Sequence, residues 1–119
     1  MTTVQIGQQI ESIASQFLER QGLILVERNY RSKLGEIDLI MREKNTLVFV
    51  EVRYRSNTRF GTPAETVTHR KQKRLILCAQ RFLQSHRVTI PTRFDVVAVT
   101  GANHQPQIEW IPNAFQTAW

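Results

Sequence analysis

The chain has 119 residues, the length of one domain, and 41% of them are hydrophobic against 22% charged. This composition excludes a chain that is disordered throughout, a collagen-like chain and a low-complexity chain. The net charge of +6 is unevenly distributed, since residues 53–93 carry +9 and the rest of the chain carries −3. The basic segment favours binding to a polyanion, most simply nucleic acid. The alternative is that it forms a solvated basic face.

The first half of the chain predicts one helix and three strands. Residues 5–21 place apolar side chains at steps of three and four, as on one stripe of a helix, and Gly22 follows as its stop. Residues 29–35 are polar and are predicted to form a turn between the first two strands. The predicted strands are 23–27, 36–42 and 47–54.

The second half predicts one helix and two more strands. Residues 56–63 contain Gly, Pro and Asn and are predicted to be a loop. A helix is predicted from about residue 64 to 85, with a basic face opposite its apolar stripe. Strands at 94–100 and 107–111 complete the order α-β-β-β-α-β-β. We therefore predict an α/β fold, a single mixed sheet of about five strands flanked by helices, in one domain spanning 1–119.

Two carboxylates interrupt strands that are otherwise apolar. Asp38 lies in the second predicted strand and Glu51 in the third. Strands this apolar are usually buried on both faces. A carboxylate there is destabilising unless it is paired or binds a metal.

The hairpin between these strands decides whether the two acids meet. A connection of two residues (44–45) or four places Asp38 opposite Glu51, and Glu36 opposite Arg53, whereas a three-residue connection puts the two acids on opposite faces. Directly opposed carboxylates repel, so the even register calls for a cation, and oxygen ligands suit Mg²⁺ or Mn²⁺. A structural network in which arginines bridge the acids is the alternative.

Glu11 is a third candidate ligand. It lies at the edge of the apolar stripe of the first helix, from which it could reach the sheet and the same ion. The alternative is an ordinary surface glutamate. Glu36 is interpreted as an ion-pair partner of Arg53 or as a supporting group beside the ligands. Tyr54 could stack on bases or pack in the core, and packing is favoured.

The chain resembles the small bacterial YraN-like family in two segments, GEIDLI at 35–40 and VFVEVRYR at 48–55. That family is similar to Holliday-junction-resolvase-type members of the PD-(D/E)xK nuclease superfamily, and the resemblance covers nearly the whole chain. It implies a restriction-endonuclease-like fold and a metal-dependent endonuclease that acts on nucleic acid, with DNA favoured and branched DNA included. Because junction-cleaving relatives act as dimers, it also makes a homodimer one expected assembly.

The resemblance implies roles for individual residues. Asp38 and Glu51 would be the metal-binding acids, and Glu11 would match the helix glutamate that such resolvases often contribute. Arg53 stands where the superfamily usually has its catalytic lysine; it can stabilise charge on a phosphate but hardly deprotonates. Three outcomes follow: a metal-activated water supplies the nucleophile, activity is weak or absent, or another basic residue such as Lys71 takes the lysine's place.

The function predicted from these residues is Mg²⁺- or Mn²⁺-dependent hydrolysis of a nucleic-acid phosphodiester, in which the three acids and Arg53 are the candidate catalytic residues. Two alternatives stay open: a non-catalytic nucleic-acid-binding module on a nuclease fold, and a protein-interaction subunit whose acids are merely ion-paired. The candidate nucleic-acid contacts are Arg55, Arg59, Arg70, Lys71, Lys73 and Arg74.

The sequence also carries an expectation about location. No stretch approaches the roughly 18 uncharged apolar residues of a membrane span, and the first residues lack the basic and then apolar layout of a signal peptide. Cys78 is the only cysteine, so neither a disulfide nor a zinc site built from cysteines is expected. We expect a cytoplasmic protein with no membrane partner.

Overall fold

The computed structural model describes residues 2–55, 67–101 and 105–116, and this part of the chain folds into two helices and five strands. They follow the predicted order α-β-β-β-α-β-β. The elements are α1 (Thr3–Arg20), β1 (Ile24–Ser32), β2 (Gly35–Glu43), β3 (Thr46–Arg55), α2 (His69–Ser85), β4 (Thr92–Thr100) and β5 (Gln107–Phe115).

The five strands form one mixed sheet in the order β1-β2-β3-β4-β5. Neighbouring strands are antiparallel except β3 and β4, which are parallel. A parallel pair needs a crossover, and the connection from β3 to β4 contains α2. The predicted α/β fold with a single mixed sheet is therefore confirmed.

One helix covers each face of the sheet, and β3 is buried between them. On one face, Ala14 and Leu18 of α1 pack with Val48 of β3. On the other face, Phe82 of α2 meets Phe49 of β3 edge to face, with ring centroids 6.1 Å apart. The unbroken apolar run of β3 is explained by this burial on both faces.

The predicted turn at residues 29–35 is wrong, because β1 continues through its first four residues to Ser32. Tyr30 pairs with Ile37 of β2 across the hairpin, and its ring packs edge to face on Phe82, with centroids 5.2 Å apart. The contact of Tyr30 with Phe82 joins residues far apart in the chain, so the polar composition of the segment does not indicate it. The turn itself comprises only residues 33–34.

The second helix and the last strand also differ in their ends. α2 begins at His69 instead of near residue 64, because Thr68 is extended and its Oγ1 accepts a hydrogen bond from the Lys71 N–H at 3.2 Å. β5 runs on to Phe115, whose ring stacks on Phe94 with centroids 4.9 Å apart. The predicted loop at 56–63, including Arg59, lies outside the described residues.

A buried polar network ties β4 to β5 and to the β2–β3 hairpin. Asp95 has no exposed surface, and its carboxylate accepts hydrogen bonds from Arg93, from Trp110 Nε1 at 2.9 Å and from the Asn113 N–H at 2.9 Å. Arg93 Nη1 in turn donates to Glu43 Oε1 at 2.7 Å. Each oxygen of Asp95 is thus hydrogen-bonded within the fold, and Asp95 is a structural residue.

Neither described helix has both the length and the apolar character that crossing a membrane would require.

Candidate functional site

The β2–β3 hairpin brings Asp38 and Glu51 to one end of the sheet. Its turn consists of residues 44–45, so the strands pair in the even register. The last paired residues of this ladder are Leu39 and Val50. The next opposed positions in that register are Asp38 and Glu51, as predicted.

Where the ladder ends, the side chain of Asp38 maintains the link between the strands. The backbone N–H of Val52 donates a hydrogen bond of 2.9 Å to Oδ2 of Asp38. This contact was not predicted, because the sequence does not reveal where the main-chain pairing stops. It holds the carboxylate of β2 against β3 in a defined orientation.

Helix α2 places Lys71 on the acid pair. The Nζ atom of Lys71 lies 3.0 Å from Oε1 of Glu51. The Glu51 side chain is only 6% exposed, whereas that of Lys71 is 44% exposed. Lys71, predicted only as a nucleic-acid contact or a substitute for the missing lysine, therefore lies directly beside the acids.

The pKa of Asp38 is raised from its ordinary value to about 8. Burial of the carboxylate is the largest cause, and the negative charge of Glu51 is the second. The Val52 N–H and the charge of Lys71 act in the opposite direction. Burial and the charge of Glu51 thus favour the protonated form of Asp38, and a further cation beside it would oppose them.

Glu11 reaches the same region from α1. Asn29 of β1, which has a φ of 52°, is near enough to influence the Glu11 carboxylate. Burial raises the pKa of Glu11, the polar side chain of Asn29 opposes that rise, and the charges of Glu36 and Glu51 add to it. Asn29 was missed as a site residue because it was placed in the predicted turn.

The donor atoms are compatible with a hard divalent cation but do not form a closed cage. In the part of the chain that the structure describes, no three His, Cys, Asp or Glu side chains are close enough together to hold a metal ion. Glu11 therefore does not complete a three-acid set with Asp38 and Glu51. Mg²⁺ commonly binds through one or two carboxylates while waters and substrate phosphates fill its other positions. The acid pair supplies that minimum, and a cation there would offset the repulsion that raises the pKa of Asp38.

A cleft of about 340 Å³ opens over the acid pair on the α2 side. Asp38 and Glu51 line it together with Arg70, Lys71 and Arg74. Three of the predicted nucleic-acid contacts thus surround the acids. A phosphate group entering this cleft would meet cations on the helix and carboxylates on the sheet.

A second cleft, of about 420 Å³, lies over the same acids on the α1 side. Glu11, Arg53 and Tyr54 line it. Tyr54 is 47% exposed, so its interpretation as a packing residue is wrong. Tyr54 lies on the same face of β3 as the buried Val48 and Val50, but near the end of the strand, where the described core no longer covers it.

Two further predicted basic contacts, Lys73 and Arg55, line neither of the clefts over the acids. Lys73 is exposed on α2, and Arg55 is half-buried at the last position of β3. Glu36 forms an ion pair with Arg31 across the β1–β2 hairpin at 3.6 Å. The sequence predicts Glu36 either as a partner of Arg53 or as a supporting group beside the ligands. The β2–β3 ladder ends before the Glu36–Arg53 position, and Glu36 lines the cleft over the acids.

Comparison with known proteins gives a consistent family assignment. The model of "Uncharacterised protein family UPF0102" matches residues 10–99. A UPF0102 protein of Nitrosomonas europaea is 52% identical over 109 residues, which cover 92% of each chain. One of Methylococcus capsulatus is 52% identical over 110 residues, covering 92% of this chain and 89% of its own. One of Pseudomonas putida is 48% identical over 113 residues, covering 92% and 91%. The family recognised from the GEIDLI and VFVEVRYR segments is thereby confirmed, and the chain belongs to the UPF0102 family.

Proposed function

We propose that the protein is a Mg²⁺- or Mn²⁺-dependent nuclease that hydrolyses phosphodiester bonds of nucleic acid, with DNA as the favoured substrate. The observation that supports this most strongly is the Asp38–Glu51 pair. The two carboxylates meet at a sheet end where burial and the negative charge of Glu51 disfavour ionisation of Asp38 and raise its pKa. The cleft above them is lined by three cations. A divalent ion would bind the two carboxylates, and a phosphate group would bind the three cations.

The metal ion would be held by Asp38 and Glu51. When bound, it supplies Lewis-acid polarisation of a phosphate oxygen and acidifies a water molecule. The protein's part is to hold the two acids in place, through the Val52 N–H on Asp38 and through Lys71 on Glu51. This preorganisation keeps the carboxylates directed at the ion rather than turned apart by repulsion.

The surrounding cations bind and orient the phosphate. Arg70 and Arg74 lie on the same cleft as the acids and can offer two-point hydrogen bonds to phosphate oxygens. Lys71, whose Nζ lies 3.0 Å from Oε1 of Glu51, would take the part of the superfamily's catalytic lysine. Arg53 lines the other cleft and would stabilise negative charge from that side.

The test is cleavage of labelled single-stranded, duplex, flapped and four-way-junction DNA with and without Mn²⁺. We expect products from the wild type only with the metal, and at least a hundredfold slower cleavage by Glu51→Gln. Glu109→Gln is the matched control, because Glu109 is exposed on β5 and lies away from the clefts. Its substitution removes the same negative charge as Glu51→Gln does. Products that persist without Mn²⁺ or in Glu51→Gln contradict the proposal.

A non-catalytic nucleic-acid-binding module is the second candidate. It is favoured by one observation, the Lys71–Glu51 ion pair, which neutralises one acid without any metal. This candidate predicts salt-sensitive DNA binding that survives Glu51→Gln and gives no metal-dependent product. The same substrate panel therefore separates the two functions.

A further inference from the structure

A third groove, of about 600 Å³, lies between the β1–β2 hairpin and α2. Arg31 and Lys33 line it from the hairpin, and Arg74 lines it from the helix. Leu34 at the turn and Leu77 on α2 also line it, and they are 42% and 37% exposed. Its single described acid, Glu36, forms the 3.6 Å ion pair with Arg31. The groove is thus a cationic surface with apolar side chains.

The hairpin is held in place against the helix by buried polar contacts. Ser32 Oγ donates a hydrogen bond to Sγ of Cys78 at 3.3 Å, and the Cys78 thiol donates to the carbonyl of Gly35 at 3.5 Å. The Leu34 N–H donates to Ser32 Oγ at 3.1 Å and closes the turn. Cys78 is fully buried on α2. The groove is therefore already formed in the free protein.

The outer face of α2 extends this groove in both directions. Arg70, Arg74, Leu77 and Arg81 recur at helical spacing and are all exposed. At 1.5 Å per residue this stripe is about 16 Å long. Its first two arginines also line the cleft over the acid pair. A continuous basic track thus leads from the acids, past the hairpin, and along the helix.

We propose that this track, the β1–β2 hairpin with the outer stripe of α2, binds the phosphate backbone of a duplex arm that leads away from the Asp38–Glu51 cleft. The inference rests on the proposed function and specifies its substrate as nucleic acid with a double-stranded arm. A track of about 16 Å runs alongside roughly five base pairs, at 3.4 Å of axis each. Lys33 and Arg81 would contact phosphates, and Leu34 would pack against sugar rings between them.

The side chains of the track favour a duplex over a single strand. Proteins that bind single strands combine cations with aromatic side chains on which unpaired bases stack. Among the described residues that line this groove, none is aromatic. Arginine and lysine flanking leucine match the outside of a duplex, where phosphates and sugars are exposed and the bases are not.

The experiment measures binding of a fluorescent 20-base-pair duplex by anisotropy in EDTA, where metal-dependent cleavage cannot occur. Lys33→Ala is compared with Lys44→Ala. Both lysines are exposed and lie in two-residue hairpin turns, but at opposite ends of β2. We expect Lys33→Ala to weaken binding roughly tenfold at 50 mM salt and to lower the salt slope by about 1. Lys44→Ala should change neither, and Arg81→Ala should behave like Lys33→Ala.

Any one of three results would overturn the inference. Lys33→Ala and Lys44→Ala could weaken duplex binding equally, or single-stranded DNA of equal length could bind as tightly as the duplex. The third is that poly-glutamate displaces the labelled duplex as readily as unlabelled duplex does. The outcome is separable from the proposed function. If Lys33→Ala weakens duplex binding but the wild type gives no cleavage products in Mn²⁺, only the proposed nuclease activity is contradicted. If the wild type gives products but Lys33→Ala binds the duplex as well as the wild type does, only the proposed track is contradicted.

Discussion

The backbone N–H of Val52 hydrogen-bonds Oδ2 of Asp38 at 2.9 Å, at the point where the main-chain ladder of β2 and β3 ends. A side-chain oxygen thus occupies a place where the next main-chain partner would be. The bond favours the ionised carboxylate, but burial and the charge of Glu51 outweigh it and raise the pKa of Asp38 to about 8. A metal cation that binds the acid pair would therefore replace the proton on it.

The raised pKa of Asp38 predicts a pH-dependent stability. Between about pH 4 and pH 8 the folded protein holds a proton on the acid pair that the unfolded chain has lost. Folding takes up that proton, so the free energy of unfolding falls as pH rises through this window, by at most about 1.4 kcal/mol per pH unit. Urea denaturation from pH 4.5 to 8.5, in EDTA, measures it. Asp38→Asn should flatten the profile, and a slope identical to that of the wild type would contradict the assignment.

Divalent metal should stabilise the folded protein. Binding of Mn²⁺ to the native state alone raises the free energy of unfolding, by about 2.7 kcal/mol at 100 times the dissociation constant. We expect the effect to grow between pH 6 and pH 8, because the ion displaces the proton of the acid pair. Thermal denaturation with increasing Mn²⁺ measures the shift. Asp38→Asn should abolish it, Glu109→Gln should preserve it, and an unchanged shift in Asp38→Asn would refute the metal site.

Removal of Lys71 should leave a nearly buried acid without its cation. Lys71→Ala is expected to lower the free energy of unfolding by about 1–2 kcal/mol at pH 7, less than for a fully buried pair because Lys71 is half exposed. The exposed Lys73 on the same helix is the matched control, and Lys73→Ala should change stability by less than about 0.5 kcal/mol. Equal effects of the two substitutions in urea denaturation would contradict the importance of the ion pair.

The Asp95 network should affect stability but not the metal site. Asp95→Ala leaves Arg93 and the indole N–H of Trp110 without their buried acceptor, so we expect a loss of about 3–5 kcal/mol. The Mn²⁺-induced stabilisation should be retained, because no residue of the network lines either cleft over the acids. Loss of the Mn²⁺ effect in a variant that still folds would show that the two regions are coupled.

Much of the fold could be predicted because its signals are local. The helical period of α1 and the apolar run of β3 identify those elements from neighbouring residues alone. The extension of β1 to Ser32 could not be predicted, since it depends on pairing with β2 and on packing against Phe82 of α2. In the same way, β5 extends beyond its predicted end because Phe115 packs on Phe94.

The candidate site could be predicted only in part, for a related reason. The short connection between β2 and β3 sets the register, and the register brings Asp38 opposite Glu51. The contact between Lys71 and Glu51 depends on how α2 docks on the sheet, which no spacing in the sequence encodes. The influence of Asn29 on Glu11 could not be predicted for the same reason, because it depends on how α1 packs against β1.

On the function proposed above, the Asp38–Glu51 pair holds a divalent ion that is used to cleave nucleic acid. The most direct measurement is the cleavage rate of labelled junction and duplex DNA as a function of Mn²⁺ concentration, beside the Mn²⁺-induced shift in melting temperature under the same conditions. We predict that the cleavage rate and the melting-temperature shift reach half of their maximum at the same Mn²⁺ concentration. Both effects should be lost in Asp38→Asn. Metal-dependent cleavage that survives in Asp38→Asn, or a melting shift with no product on any substrate, would contradict the account.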